Sequence, residues 1–367
     1  MNTIPIVDLY AQYLSIKKDI DDAIAETIKN SSYIGGAVKD FEKAFSVYTG
    51  IRNVIGCGNG TDSIEILLKS FGIKPGDEVI VPACSWISTS EAVSAIGATP
   101  VFVDIENDYF AIDSTLIEKS ITNKTRAIIP VHLFGHPADM PAIMQIADRH
   151  KLVVIEDCAQ AHGASINGKM IGTFGHAASF SFYPGKNLGA YGDAGCMATN
   201  DDQIAELARM IAQHGQKGKH NHLIEGRNSR LDGMQAAILL AKLPYLEKWT
   251  EKRIAHAKYY HQHLEHSNIK LPATKDGYRH VFHLYVVRVN NRRAYQDRLA
   301  AAGIETAIHY PTPLPFLPCY ANMKFVPEQF PVASANQHRI LSIPMYPELG
   351  ISELNHVSNQ LADKVFA

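Results

Sequence analysis

The strongest constraint on the fold is a regular alternation of short apolar runs and helical segments between about residues 52 and 200. Most of the apolar runs are apolar on both faces, which is typical of strands covered by helices on both sides. Before the first of these runs, Ile64, Leu67 and Phe71 follow the spacing of a helix that buries one face. The alternation predicts an α/β domain with a mainly parallel central sheet between helices. The predicted strands are 78–82, 99–105, 126–134, 152–157, 178–183 and 195–199.

The pattern changes after about residue 243, where a smaller α+β region is predicted. The elements predicted there are a long charged helix through 245–259, an alternating strand at 283–289, and helices at about 293–302 and from 352 onward. The segment 310–331 is rich in proline and aromatic residues and is predicted to be a structured loop. We therefore predict a large domain at 1–243, with the first 15 or so residues free to pack outside it, and a small domain at 244–367.

Composition and charge exclude several classes of protein. The formal net charge is -2 and the sequence pI is about 6.8, which gives no electrostatic basis for binding nucleic acid. No apolar run approaches the roughly 20 residues that span a bilayer, and the N-terminus lacks the pattern of a signal peptide. The five scattered cysteines contain no CxxC pair, so neither a disulfide framework nor a zinc site is indicated. These features favour a cytoplasmic protein.

A histidine pair in a charged loop is the one segment that suggests a metal. His220 and His222 lie in the sequence Lys-Gly-Lys-His-Asn-His at 217–222. Zinc sites need about four ligands in a defined geometry, and histidines in a charged loop are more often solvated. We therefore predict no metal site and expect this loop to contribute positive charge near a substrate.

Three polar segments each follow a predicted strand, at the edge where sheets of this type bind ligands. The first, Gly-Asn-Gly-Thr-Asp at 58–62, opens a predicted helix at 63–71. Glycines let the backbone approach an anion, and a helix N-terminus presents free N–H groups. Capping of the helix by Thr61 or Asp62 explains the segment equally well.

The second and third segments contain a carboxylate and an amine. Asp157 lies where an apolar strand ends, and a pyridinium nitrogen would suit a carboxylate in that place, although a helix cap is the more common role. Lys186 ends the sequence Ser-Phe-Ser-Phe-Tyr-Pro-Gly-Lys at 179–186, where its amine could point into a cleft and form a Schiff base. A lysine is more often a solvated surface charge. Ser181, in the same segment, could face a phosphate.

Together with Asn-Ser-Arg-Leu-Asp at 228–232, these segments resemble, in order and wording, the DegT/DnrJ/EryC1/StrS family of sugar aminotransferases. The resemblance covers essentially the whole chain. It implies an aspartate aminotransferase-like large domain of fold type I, and pyridoxal 5'-phosphate as the cofactor. It also implies that Lys186 holds the cofactor covalently and moves the proton during transfer, and that Asp157 pairs with the pyridine nitrogen.

The remaining cofactor contacts are implied in the same way. Gln160 lies near the phenolic oxygen of the cofactor, and Trp86 stacks on its ring, although a core aromatic at a strand-to-helix junction is an equal alternative for Trp86. The residues implied to bind the phosphate are Gly60, Thr61, Ser181 and, from the neighbouring subunit, Asn228. The active unit implied by Asn228 is a homodimer with shared sites.

The resemblance also implies a substrate and a reaction. The amino group passes from glutamate, through pyridoxamine phosphate, to a nucleotide-linked keto sugar, giving an amino sugar for surface polysaccharides or glycoconjugates. The residues implied to contact the substrate are Tyr183, His214, Arg230, His309 and Tyr310.

Three alternatives remain open. The segments 214–219 and 226–230 look more like members that aminate a dTDP- or UDP-linked 3-keto hexose than like C4 enzymes acting on 4-keto-6-deoxy sugars. A dehydratase of the same family would carry histidine in place of Lys186. A non-catalytic regulatory protein should lack Lys186 or Asp157, and both are present.

Overall fold

The computed structural model describes residues 3–362. The outer ends of the two predicted domains, residues 1–2 and 363–367, lie outside the described residues. The strands are β1 (Asn53–Cys57), β2 (Glu78–Pro82), β3 (Thr99–Val103), β4 (Thr125–Ile128), β5 (Val153–Asp157), β6 (Ser165–Ile166), β7 (Lys169–Met170), β8 (Ala177–Ser181), β9 (Gly195–Thr199), β10 (Tyr278–Arg279), β11 (Tyr285–Arg288) and β12 (Ile340–Ile343). The α-helices are α1 (Leu9–Ser15), α2 (Lys17–Lys29), α3 (Val38–Thr49), α4 (Gly60–Ser70), α5 (Ser88–Ala95), α6 (Ser114–Ile117), α7 (Met140–His150), α8 (Asp202–Ala212), α9 (Gly233–Lys242), α10 (Leu246–Leu264), α11 (Arg292–Ala301), α12 (Pro331–Asn336) and α13 (Ile351–Ala362).

Seven strands form the central sheet, in the order β1-β9-β8-β5-β4-β2-β3. Every neighbouring pair from β8 to β3 is parallel, whereas β9 runs antiparallel to both β8 and β1. Strands β5, β8 and β9 are buried along almost their whole lengths. Helices therefore cover both faces of the sheet, and the predicted α/β fold with a mainly parallel sheet is confirmed.

The predicted strands correspond closely to the observed ones, with two differences. The strand predicted at 126–134 ends at Ile128, shortly before Pro130, which has no N–H to donate to a neighbouring strand. The edge strand β1 was not among the predicted strands. It is short and contains Gly56, where an added Cβ would lie 2.7 Å from Cβ of Leu231.

The region after residue 243 has its own hydrophobic cluster around the antiparallel pair β11 and β12 and the helices α10, α11 and α13. Ile4 belongs to this cluster, and its backbone N–H donates to Gly303 O at 2.8 Å. The segment 310–331 contains the short 3-10 helices Leu314–Phe316, Pro318–Met323 and Pro327–Gln329. The prediction of a structured loop there is confirmed, and the division of the chain at 243 stays a prediction.

Four of the five cysteines, all except Cys319, are buried free thiols. Within residues 3–362, none of the helices has the length and apolar character needed to span a bilayer.

Candidate active site

The carboxyl ends of β1, β2, β5 and β8 open onto a cavity of about 530 Å³. The parallel arrangement brings these ends together, since strands of one direction terminate at one edge of the sheet. The opposite wall consists of side chains from α10, from the segments 283–284 and 309–310, and from Met345. All three polar segments singled out in the sequence line this one cavity.

Asp157 ends β5 at the floor of the cavity and is only 5% exposed. Its Oδ2 accepts a hydrogen bond from Thr89 Oγ1 at 3.0 Å, and its Oδ1 accepts one from Ala159 N at 3.2 Å. Both donors are neutral, so burial prevails and raises the pKa of the carboxyl, even though Lys186 and His132 act in the opposite direction. Because burial disfavours the ionised carboxylate, a protonated ring nitrogen in the cavity would stabilise it.

Lys186 faces the same cavity from the turn that follows β8, where its backbone N–H donates to Tyr183 O at 2.8 Å. Burial lowers the pKa of its amine to about 8, and Asp157 opposes the shift. About a tenth of an amine with that pKa is neutral at pH 7, against less than about 0.1% for an ordinary lysine. The neutral amine is the form that attacks a carbonyl carbon.

The start of α4 has the features of an anion site and lines the cavity together with these two residues. Asn59 Oδ1 caps the helix by accepting from Asp62 N at 2.8 Å, so the capping roles considered for Thr61 and Asp62 are wrong. A Cβ added at Gly60 would lie 2.8 Å from Cβ of Ser181, and this close approach requires glycine. The first-turn N–H groups and the hydroxyls of Thr61 and Ser181 thus lie at one end of the cavity, where a phosphate fits.

Gln160 joins the floor of the cavity to its opposite wall. Its Oε1 accepts from Phe134 N at 2.7 Å, and its Nε2 donates to the hydroxyl of Tyr310 at 2.9 Å. The ring of Trp86 lies 5.5 Å from the ring of Tyr310, and 56% of Trp86 is exposed. The alternative that Trp86 is a core aromatic is therefore wrong, and its indole is available to a ligand in the cavity.

Two histidines on the opposite wall are neutral. His309 Nδ1 lies 2.8 Å from Ser342 Oγ, and burial, together with Lys186, lowers its pKa to about 4. His283 Nδ1 lies 3.1 Å from Oδ1 of Asn187, and burial lowers its pKa well below the usual value. Neutral imidazoles can accept or donate hydrogen bonds to sugar hydroxyls without adding charge. Tyr183 lies at the exposed mouth of the cavity.

Three predicted site residues lie away from this cavity. His214 and Asn228 are exposed, and Arg230 is half-buried with its Nε unpaired among the described residues. The backbone holds them in one segment, in which His214 N donates to Arg227 O at 2.9 Å and Gln213 bridges to Asn228. Because none of the three lines the cavity of its own chain, their predicted roles require a second copy and remain predictions.

Thr89, His283 and Arg253 are among the cavity residues that sequence reasoning missed. Thr89 belongs to α5 and meets Asp157 across 68 residues of chain. The sequence feature that could have identified Thr89 is its position shortly after β2, close to Trp86. Arg253 sits in the charged helix α10 and resembles a solvated arginine in the sequence, yet it is buried.

One buried cluster within residues 3–362 has the composition of a metal site, formed by His132, Glu156 and Cys158. Nδ1 of His132 accepts from Ala138 N at 3.0 Å, so its Nε2 carries the proton and donates to Glu156 at 3.0 Å. Glu156 accepts three further hydrogen bonds from backbone N–H groups. The ligand atoms of His132 and Glu156 are already engaged, so the cluster supports β5 and does not carry a metal-site proposal.

Comparison with known proteins agrees with the geometry of the cavity. The model of the DegT/DnrJ/EryC1/StrS aminotransferase family matches residues 14–362. A crystal structure of DesV from S. venezuelae, in complex with a ketimine intermediate, superposes with a TM-score of 0.97 at 41% identity and covers 99% of this chain and 98% of its own. Other similar structures are described with bound cofactor PMP or in a PLP form.

Two sequence relatives differ in the function that their names give. A pleiotropic regulatory protein of Geobacillus stearothermophilus is 46% identical and covers 98% of each chain. The dTDP-3-amino-3,4,6-trideoxy-alpha-D-glucose transaminase of Streptomyces venezuelae is 42% identical and covers 94% of this chain and 92% of its own. Further relatives are named as aminotransferases of UDP-linked 3-dehydro or 3-oxo sugars.

Proposed function

Because this chain belongs to the DegT/DnrJ/EryC1/StrS aminotransferase family and uses pyridoxal phosphate as its cofactor, we propose that it transfers an amino group from glutamate to C3 of a dTDP- or UDP-linked 3-keto hexose. The observation that carries the proposal is the meeting of Lys186 and Asp157 in one cavity with an anion site at its end. The product would be an amino sugar nucleotide for a surface polysaccharide or glycoconjugate. We also propose a cytoplasmic location, which the free cysteines support.

Different cavity residues hold different parts of the cofactor. The first turn of α4, with Thr61 and Ser181, binds the phosphate, and Trp86 covers the ring. Asp157 keeps a proton on the ring nitrogen, because its buried carboxylate stabilises the positive charge there. When bound, pyridoxal phosphate supplies an electron-poor ring that can take up the electron pair of a broken C–H bond.

Lys186 moves the proton in both halves of the reaction. Its neutral amine removes the proton from Cα of glutamate, and the resulting ammonium returns it to the C4′ carbon of the cofactor, as general base and then general acid. Burial, which lowers the pKa of the amine to about 8, keeps it able to do both near neutral pH. In the second half Lys186 performs the same transfer in reverse, so that the amino group ends on the keto carbon of the sugar.

The names of relatives support C3 as the position. The relatives described above include enzymes named for 3-amino, 3-dehydro or 3-oxo sugars, linked to dTDP in one case and UDP in others. His309 and Tyr183 line the cavity, which supports a contact between these side chains and the sugar. The similarity to a pleiotropic regulatory protein offers a second function, but Lys186 and Asp157 would be unnecessary for it.

Absorbance spectroscopy tests the amino donor step. The purified protein with pyridoxal phosphate should develop a visible band that disappears when glutamate is added. The Lys186→Ala variant should still bind the cofactor phosphate but lack the wild-type spectral response and turnover. A band that ignores glutamate would contradict glutamate as the donor, and its complete absence would favour the regulatory function.

A substrate panel tests the position and the nucleotide. Wild-type protein and Lys186→Ala are incubated with glutamate and with 3-keto and 4-keto sugars linked to dTDP or UDP, and amino sugars are detected by mass spectrometry. We expect product from a 3-keto sugar with wild type alone. Amination of the 4-keto sugars in its place would overturn the C3 assignment.

We further propose that the active unit is a homodimer in which Asn228 serves the partner's cofactor site. Its exposure outside its own cavity supports this, as do the exposed apolar side chains of Tyr10, Leu14 and Ile34 near the N-terminus. Subunits carrying Asn228→Ala can be mixed and refolded with subunits carrying Lys186→Ala. If the site is shared, mixed dimers contain one intact site, and activity should recover to about a quarter of wild type. No recovery would place Asn228 outside the shared site.

A further inference from the structure

The buried guanidinium of Arg253 faces the active-site cavity with part of its hydrogen-bonding capacity unused. Arg253 is 3% exposed and lines the cavity from α10. Its Nη1 donates to the carbonyl oxygens of Phe282 at 3.3 Å, His283 at 3.3 Å and Met345 at 2.6 Å. Among the described residues, nothing accepts a hydrogen bond from its Nε or Nη2. Three of the five N–H groups of this side chain are therefore available to a ligand.

The charge of Arg253 is also incompletely balanced within residues 3–362. Glu348 is the carboxylate that acts on it electrostatically, and Arg253 forms no ion pair with a described residue. Oε2 of Glu348 is itself buried without a hydrogen-bond partner. A buried cation without a contacting anion is unfavourable, so an anionic ligand in the cavity would complete the site.

The position of Arg253 relative to Lys186 restricts which anion this can be. Arg253 contacts the backbone of His283, and the ring of His283 contacts Asn187, the residue that follows Lys186. The guanidinium is therefore connected to the backbone beside Lys186 through His283 and the side chain of Asn187, and Arg253 and Lys186 line the same cavity. In an amino acid donor, the α-carboxylate is bonded to the carbon from which Lys186 removes the proton, so it has to lie in this cavity.

We propose that Arg253 binds the α-carboxylate of the amino donor through its Nε and Nη2, the edge of a guanidinium that matches a carboxylate in a bidentate pair. This inference rests on the proposed aminotransferase function. Ile6, Val7, Leu284 and Met345 line the same cavity, and an apolar lining strengthens such a pair. The alternative anion, the sugar diphosphate, is attached at C1 of the sugar, two carbons from the reacting C3.

Binding of α-methyl-L-glutamate tests the proposal without turnover, because this compound has no proton on Cα for Lys186 to remove. Its affinity for the cofactor-loaded protein is measured by calorimetry and by the absorbance of the bound cofactor. We expect Arg253→Gln to weaken this affinity between about 10- and 150-fold, the usual range for hydrogen bonds to a charged group. The affinity for free UDP or dTDP should change less than about twofold.

Glu348→Gln is the matched control, since it removes the carboxylate that acts on Arg253 and leaves the guanidinium in place. If Arg253 serves only to balance Glu348, both variants should weaken α-methyl-L-glutamate equally, and the proposal fails. Loss of nucleotide affinity in Arg253→Gln with unchanged α-methyl-L-glutamate binding would assign Arg253 to the diphosphate. Unchanged affinity for both ligands, or equal loss of both, would reduce Arg253 to a structural role.

A wild-type measurement protects the test against misfolding of Arg253→Gln, which loses three contacts to carbonyl oxygens. L-Isoglutamine carries an amide in place of the α-carboxylate, whereas L-glutamine keeps the α-carboxylate. We expect isoglutamine to require at least about tenfold higher concentration than glutamate for half-saturation of the absorbance change. Equal concentrations would overturn the proposal. Failure of every keto sugar in the panel, with this preference intact, would refute the sugar assignment alone.

Discussion

Replacing Asp157 with asparagine should separate what this residue does for the cofactor from what it costs the fold. Asparagine has nearly the same shape, and its oxygen can still accept from Ala159 N. The hydroxyl of Thr89 now donates to Asp157, but it can instead accept from the new amide nitrogen. The substitution therefore removes the charge and leaves the hydrogen-bonding geometry in place.

Without cofactor, Asp157→Asn should be more stable than wild type. Burial raises the pKa of Asp157, so the ionised carboxylate is less favourable in the folded protein than in the unfolded chain. This cost is present in full above the folded pKa and disappears as the pH falls below the unfolded value of about 3.9. We expect a higher free energy of unfolding near pH 8, seen as a rise in Tm that diminishes as the pH falls toward the unfolded value.

With cofactor, the effect should reverse. A protonated ring nitrogen would lose its buried counter-charge, and breaking a buried pair by removing one partner costs about 3–5 kcal/mol. If that cost falls on the transition state, turnover drops by about 10²- to 10⁴-fold. The variant should also gain less thermal stability from pyridoxal phosphate than wild type does.

Calorimetric unfolding with and without pyridoxal phosphate, at pH 8 and at lower pH, measures the stability of the cofactor-free protein and the stabilisation by the cofactor. Single-turnover kinetics with glutamate measures the loss of turnover. Asp276→Asn is the control, because Asp276 is an exposed carboxylate outside the cavity. The reasoning would be refuted if Asp157→Asn lowered the Tm of the cofactor-free protein. It would also be refuted if the cofactor stabilised variant and wild type equally.

Three further perturbations test the architecture of the site. Since the pKa of Lys186 is lowered to about 8, capture of pyridoxal phosphate by cofactor-free protein should accelerate with pH and level off above about pH 8 in stopped-flow absorbance; a midpoint near 10 would contradict its burial. Gly60→Ala should weaken pyridoxal phosphate binding at least about tenfold in a fluorescence titration, because the new Cβ would press on Ser181; unchanged affinity would move the phosphate elsewhere. Glu156→Gln should lower the free energy of unfolding by about 3 kcal/mol in a urea titration, because one carboxylate oxygen becomes an NH₂ that faces N–H donors. A loss below about 1 kcal/mol would contradict the hydrogen bonds from backbone N–H groups to Glu156.

The sequence predicted those parts of the site that follow from local pattern. Strand β5 is an apolar run that ends at Asp157, and β8 is an apolar run that leads into the segment of Lys186. The positions of both residues at the edge of a parallel sheet therefore followed from periodicity. Helix α4 also followed from spacing, but its cap did not. Asn59, Thr61 and Asp62 are all capable caps, and only the backbone conformation selects Asn59.

Other contacts depend on tertiary packing that no local pattern contains. Strand β1 is an edge strand whose glycine weakens the apolar signal but is required by the approach of Leu231. Arg253 occupies a helix rich in charged residues, where an arginine is expected to be solvated. It is buried because the segments that carry His283 and Met345 fold over it, and these lie 30 and 92 residues further along the chain.

The difference between locally encoded motifs and tertiary contacts affects specificity within the family. The cofactor side of the cavity is built from short motifs at the ends of neighbouring strands, so each motif brings its own backbone geometry with it. The opposite wall is assembled from α10 and the separate segments around His283, His309 and Met345. A substitution on this wall can alter the donor or sugar site without disturbing the residues that hold the cofactor. Family membership therefore establishes an aminotransferase that uses pyridoxal phosphate, whereas the choice of donor and sugar has to be determined from this wall, beginning with Arg253.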